Sequence, residues 1–269
     1  MNELKRGIST IGLIGLSICM LAPAFDSAAT EPADASPGSE YISLYGSLLS
    51  EFTRETKSTV QVKVNYRGLR GDPRWKRLVG LVAQIDPGKL GTREERLAYW
   101  INVYNIFAID LILGAYPVDS IKDIGSFFSP VWGADAGKIR GRSYTLDEIE
   151  DDILRPMGEP RIHAAIVCAS VSCPPLARTP FEAGAIDRQL DATLASFLAN
   201  PQKGARLDRA SRTLRLSKIF DWFESDFESA GGVLSFVLPH LAEDDARWIR
   251  SHRADLRIDY FGYDWGLNE

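Results

Sequence analysis

The chain has 269 residues, a formal net charge of −5 and three cysteines. Its balance of 45% hydrophobic to 25% charged residues excludes a disordered or fibrous chain and leaves enough apolar side chain for a sizeable core. No basic stripe runs along it, which argues against nucleic acid as a partner.

The opening Met1-Asn2-Glu3-Leu4-Lys5-Arg6 precedes an apolar run over residues 8–24, and Ser27, Ala28 and Ala29 supply small residues for cleavage. This pattern predicts a signal peptide over 1–29, followed by an acidic, Pro-rich lead-in over 30–40 that is expected to be disordered. The expected product is exported, periplasmic or secreted, with no membrane attachment after cleavage. A retained anchor is the alternative, because an apolar run of about 17 residues sits at the short limit for spanning a bilayer. No repeat, low-complexity block or linker divides residues 41–269, which read as a single domain.

Apolar residues at helical spacing predict helices over 41–53 and 75–85. A longer helix is predicted over 92–114, opened by the Thr92/Glu95 capping box and stopped by Gly114 and Pro117. A loop-rich stretch with Phe127, Phe128 and Trp132 follows, then a short strand or hairpin over 138–144 and a second capping box, Thr145/Glu148, opening a helix to about 154. Residues 161–169 read as a strand, 183–199 as a helix, 206–216 as a hairpin, 217–252 as helices and 256–260 as a closing strand. Helices clustered at both ends of a few strands predict an α+β fold, with helices packed around a small, mainly antiparallel sheet.

Three clusters could carry chemistry. Asn102 and Asn105 lie one turn apart on a largely apolar helix face, and an unpaired buried amide costs about 1–3 kcal/mol per group, so both need partners. Those partners are either loop backbone or a catalytic group: an imidazole to orient, or an oxyanion. The second cluster is Arg161-Ile162-His163 through Cys168-Ala169-Ser170-Val171-Ser172-Cys173. On a strand, His163 and Cys168 would point to opposite faces, whereas Cys173 lies beyond it in a turn that can fold back toward His163. A thiolate at Cys173 with His163 as its base is one reading. A disulfide between Cys168 and Cys173 is another, although so short a loop returns only about 2 kcal/mol. A redox dithiol, a metal site on the same three side chains and a packed core pair complete the alternatives. Finger or ribbon spacing is lacking, so no metal or cofactor is expected. The third cluster is the aromatic tail over 259–268, expected to dock on the body and to bring Asp264 and Asn268 toward the site.

The motifs Tyr99-Trp100-Ile101-Asn102-x-Tyr104-Asn105, Leu146-Asp147-x-Ile149-Glu150, Arg161-Ile162-His163, Cys168-Ala169-Ser170-x-Ser172-Cys173-Pro174-Pro175-Leu176 and Tyr263-Asp264-Trp265-x-Leu267-Asn268 together resemble the domain of unknown function 547 family, over about residues 93–269. The family in turn resembles papain-like and transglutaminase-like thiol enzymes in outline. The resemblance implies a thiol-dependent hydrolase or acyltransferase, with Cys173 as nucleophile, His163 as base and Asn102 or Asp264 orienting the imidazole. Asn105, Trp100, Arg161, Ser170, Ser172 and Cys168 stand on the same motifs as binding candidates for a small molecule or peptide. A non-catalytic envelope binding or scaffold protein and a dithiol redox protein using Cys168 and Cys173 are the alternatives.

Overall fold

The computed structural model describes residues 37–125 and 130–269. The expected signal peptide, residues 30–36 of the expected lead-in, and Phe127 and Phe128 lie outside the described residues. Helix α1 (Pro37–Phe52) takes in the last four residues of that lead-in, because Tyr41, Tyr45, Leu48 and Leu49 bury one face of it. A hairpin of β1 (Thr53–Glu55) and β2 (Val62–Val64) leads into α2 (Tyr66–Arg70) and α3 (Pro73–Gln84). Asp72 caps α3, its carboxylate accepting from the Arg74 N–H, and Pro73 stands in the first turn, where its missing N–H is not needed.

Helix α4 (Arg93–Ala115) is the centre of the molecule. Thr92 and Glu95 close the expected capping box, and every residue from Leu97 to Ile109 is buried. By length and composition it could cross a bilayer, yet 83% of its most apolar window is buried within the protein. A helix that is apolar all round needs cover on every side, and α4 has it: α2, α3, α5 (Ile186–Leu198) and a π-helical segment over Glu148–Leu154 all pack on it.

The fold is α+β, as expected, with its strands in three small sheets. Besides β1 and β2 there is a hairpin of β3 (Gly137–Ile139) with β4 (Arg142–Tyr144), both antiparallel. The third sheet holds β5 (Ala205–Asp208), β6 (Thr213–Leu216) and β7 (Arg257–Tyr260), with β5 and β6 antiparallel and β7 parallel to β6. Helices α6 (Ile219–Trp222), α7 (Val233–Val237) and α8 (Glu243–Ser251) lie between β6 and β7 in sequence, and the described residues form one compact unit.

The strand expected over 161–169 is not one. Glu159 caps a 3-10 helix over Pro160–Ala164, and the chain then runs irregularly to Cys173, with Ala169 in the left-handed region at φ 59°. The alternation of small and apolar residues imitated a strand, but the backbone finds its partners in side chains. Asn105 donates from Nδ2 to the Ala165 carbonyl (2.9 Å) and accepts at Oδ1 from the Val167 N–H (2.8 Å). One turn earlier Asn102 treats Phe181 in the same way, donating to its carbonyl at 2.8 Å and accepting from its N–H at 2.9 Å. The buried Lys203 ammonium donates to the carbonyls of Val60, Val171 and Cys173 at 3.1, 3.2 and 2.6 Å.

Asn105→Ala strands one buried donor and one buried acceptor, as does Asn102→Ala, so each variant is expected to lose about 2–4 kcal/mol of stability. Urea unfolding followed by tryptophan fluorescence measures this, and a loss below about 1 kcal/mol in both would refute the clamp.

Candidate dithiol site

The Asn105 clamp ends one residue before Cys168, and the aromatic tail closes over the other side of the loop. The Val171 N–H donates to the Gly266 carbonyl and the Ser172 N–H to the Asp264 carbonyl, while the Asp264 N–H donates to Ser172 Oγ. Asn268 is buried, accepting from the Tyr66 hydroxyl at 2.7 Å and donating its N–H to the Ala169 carbonyl. Held from both sides, the loop brings two free thiols together, with Cys168 Sγ 2.7 Å from Cys173 Sγ.

The two sulfurs differ in surroundings. Cys173 is 3% exposed, and its sulfur accepts from the Cys168 N–H at 3.0 Å; Cys168 is partly exposed, with Ser170 Oγ at 3.2 Å and the Tyr263 hydroxyl at 3.3 Å. Burial opposes ionisation of Cys173, but hydrogen bonds from the Cys168 thiol, the Tyr263 hydroxyl and the Cys168 N–H outweigh it, with the charge of Lys203 nearby, and bring that thiol down to about 7. The same sulfur-to-sulfur hydrogen bond, together with burial, pushes the Cys168 thiol well above its ordinary value. One proton therefore leaves the pair easily, and the second is held.

Both sulfurs face a cavity of about 290 Å³, which His163 and Glu150 also line. His163 is buried and stacked on Phe223 with ring centroids 4.2 Å apart. Its Nε2 lies 2.8 Å from Asp226 Oδ2 and its Nδ1 3.8 Å from Glu150 Oε1. Burial lowers the imidazole below its usual value, so the ring is neutral at pH 7, with its proton on Nε2 donated to Asp226. Arg155 grips Asp226 through two hydrogen bonds, at 2.7 and 2.8 Å, and these, with His163, hold that carboxyl far below the ordinary range. Glu150 goes the other way. Burial is the main cause, and Asp151 and Cys168 add to it, so that its carboxyl rises to about 8 although the Tyr104 hydroxyl donates to it at 3.1 Å.

Several expected roles change. His163 shares the cavity with the sulfurs, but its hydrogen bond among the described residues goes to Asp226, and neither sulfur is within hydrogen-bond reach of it. Asp226 orients the imidazole, not Asn102 or Asp264: Asn102 is fully engaged with Phe181 and Tyr41, and the Asp264 carboxylate accepts from the Gly266 N–H in its own turn. Trp100 packs in the core against Tyr99 and Tyr144, and Arg161 binds Glu159, Asp187 and Asp191 away from the cavity. Asn105, Ser170 and Ser172 position the loop, and Cys168 lies directly beside Cys173. Cys173 sits on irregular backbone with no helix behind it, so the nucleophile-bearing helix of papain-like enzymes has no counterpart here. Sequence reading missed Tyr104, Glu150, Trp222, Phe223 and Asp226. The first two stood inside quoted motifs, whereas Asp226 sits in an unremarkable acidic run.

Glu150 gives the folded protein a measurable pH signature. Its carboxyl keeps a proton up to about pH 8 when folded and releases it near 4.5 when unfolded, so the folded state binds more protons in that window and stability falls as pH rises through it. The stability difference between wild type and Glu150→Gln is expected to shift in favour of the variant by about 1.4 kcal/mol per pH unit between roughly pH 5 and 8. Parallel urea titrations across that range would disprove the assignment if the difference stayed flat.

Residues 88–198 match the family model described as "Protein of unknown function, DUF547". The matched segment carries Asn102, Asn105, Glu150, His163 and both cysteines of the site, while Asp226 and the aromatic tail lie beyond it. Comparison with curated proteins finds no match, and comparison with solved structures finds none. The family match agrees with the motifs from Tyr99 to Leu176, and over residues 88–198 the chain is similar to the DUF547 family.

Proposed function

We propose that the chain is a thiol–disulfide exchange protein that acts through Cys168 and Cys173 on a thiol-bearing molecule held in the cavity. One observation carries this reading: two free sulfurs 2.7 Å apart on one cavity, one buried among hydrogen-bond donors and the other partly exposed. Exchange runs fastest when the sulfur under attack is accessible and the departing sulfur is a stable thiolate. Cys168 meets the first condition and Cys173 the second.

In the oxidised protein a substrate thiolate attacks Cys168. The Cys168–Cys173 bond breaks, its electron pair goes to Cys173, and the stabilising donors are the Cys168 N–H and the Tyr263 hydroxyl, assisted by Lys203. A second substrate thiol then attacks the substrate sulfur of the mixed disulfide and releases Cys168, which takes up a proton. Two substrate thiols lose two electrons and two protons in total, and the protein gains a dithiol. The same steps in reverse reduce a disulfide. An exported location, expected from the leader, would supply the oxidising surroundings in which the disulfide form persists.

The hydrolase expectation depends on imidazole-assisted ionisation of Cys173. Here the donors are a second thiol, a phenol and a backbone N–H, and His163 is committed to Asp226. That set of partners favours exchange over acyl transfer.

In oxidised glutathione the wild-type protein is expected to form the internal disulfide, Cys173→Ser to accumulate glutathione on Cys168, and Cys168→Ser to react at least about tenfold more slowly because its remaining sulfur is buried. Mass spectrometry of alkylated samples reads all three. Sulfurs that stay free in the wild type, or a thioester probe hydrolysed by Cys168→Ser but not by Cys173→Ser, would end the exchange reading. Iodoacetamide labelling at Cys173, slow but localised by fragment-ion mass spectrometry, should rise in the wild type through an inflection near pH 7, since that thiolate forms as pH passes about 7. In Tyr263→Phe, which lacks one donor, that inflection should move up toward the ordinary cysteine value of about 8.5; an unmoved inflection would remove the phenol from the mechanism.

A further inference from the structure

The walls of the cavity say more about the substrate than its sulfurs do. Trp222 is 45% exposed, one of two large hydrophobic side chains left open to solvent among the described residues. It stacks on Trp265 with ring centroids 5.7 Å apart, and Tyr263 lies 4.7 Å from Trp222 and 4.5 Å from Trp265. Trp132 extends the row, 5.4 Å from Trp265. These four rings come from three separate segments and converge on one cavity, which no Lys or Arg among the described residues lines. Besides the imidazole, thiols and phenols, its lining includes three carboxyls, of Glu150, Asp147 and Asp151. Asp151 is paired with Arg155, and Asp147 at the rim has no hydrogen-bond or ion-pair partner among the described residues. Burial, with Asp151 nearby, raises the Asp147 carboxyl above its usual value. Two rings of the lining already have cations over their faces: Lys122 Nζ lies 4.8 Å from the Trp265 centroid, and the Arg155 guanidinium lies 5.2 Å from that of Phe223, a fifth lining ring.

An aromatic ring presents a negative face, and several such faces with a carboxylate beside them favour a cation over a neutral group of the same shape. An anionic ligand would bring like charges together beside Asp147, and a neutral one would forgo the attraction of the ring faces and the carboxylate for positive charge. We propose that the cavity is a cation-binding cage, and that the thiol presented to Cys168 belongs to a compact molecule carrying an ammonium or guanidinium group. The link to the thiol rests on the exchange reading above; the cage itself does not.

The test separates the two. Choline and its uncharged carbon isostere 3,3-dimethylbutan-1-ol are titrated against tryptophan fluorescence, using the wild-type protein held reduced and the Cys168→Ser/Cys173→Ser variant. Choline is expected to bind at least about tenfold more tightly than the isostere to both, about threefold or more weaker in Asp147→Asn, and without saturation in Trp222→Ala. Then cysteamine, 2-mercaptoethanol and 3-mercaptopropionate, which differ in charge, are compared per thiolate as reductants of the Cys168–Cys173 disulfide. The expected order is cysteamine fastest and 3-mercaptopropionate slowest, by about fivefold or more at each step. Equal binding of choline and its isostere overturns the cage. Cation-selective binding with equal rates for the three thiols overturns the substrate assignment and leaves the cage. A protein that binds choline selectively but forms no disulfide refutes exchange alone.

Discussion

Two asparagines on one buried helix are what the rest of the structure depends on. Helix α4 is enclosed on all sides, yet much of what encloses it is irregular chain whose peptide groups have no strand to pair with. Every such group in the interior must still find a partner. Asn102 and Asn105 each present a carbonyl and an amide to one loop backbone, acting as a short piece of β-ladder made from a side chain. Lys203 does the corresponding work for three carbonyls. The path of the loop that carries Cys168 and Cys173 is thus set by hydrogen bonds from outside the loop.

The same enclosure sorts the ionisable groups. Asp226 and Glu150 are both carboxyls within reach of one imidazole, but Arg155 reaches Asp226 and a phenol reaches Glu150. One stays an anion and the other keeps its proton, so the neutral imidazole stands between an acceptor and a potential donor. At the sulfurs the asymmetry is of a different kind: identical groups side by side, one buried among donors and one partly exposed. In each pair, burial sets the scale of the effect and the choice of hydrogen-bond donor sets its sign.

How much of this was legible in the sequence follows from how local each determinant is. The capping box at Thr92, the spacing of Trp75, Leu78 and Val82, and the turn between β5 and β6 are settled by neighbours a few residues away, and they were read correctly. The segment over 161–169 was misread because alternating small and apolar residues suit a strand, while the partner that replaces the ladder is an asparagine about 60 residues earlier. The cysteines and the imidazole were found as residues, but which of them would meet was not. Asp226, 63 residues beyond His163, lies in a run whose composition resembles any solvated helix end. Burial inverts the ordinary behaviour of Glu150, and burial of a single side chain in a motif is a property of the assembled fold.

The docking of residues 263–268 on the cysteine loop bears on how the protein is made. Tyr263 follows Cys168 by 95 residues, so both sulfurs leave the ribosome well before the phenol that helps to acidify them. A nascent chain carries ordinary, sluggish thiols through synthesis and any transit that follows. The Tyr263 donor acts only once residues 263–268 have docked on the loop, so the lowered value of the Cys173 thiol belongs to the folded chain and not to the growing one.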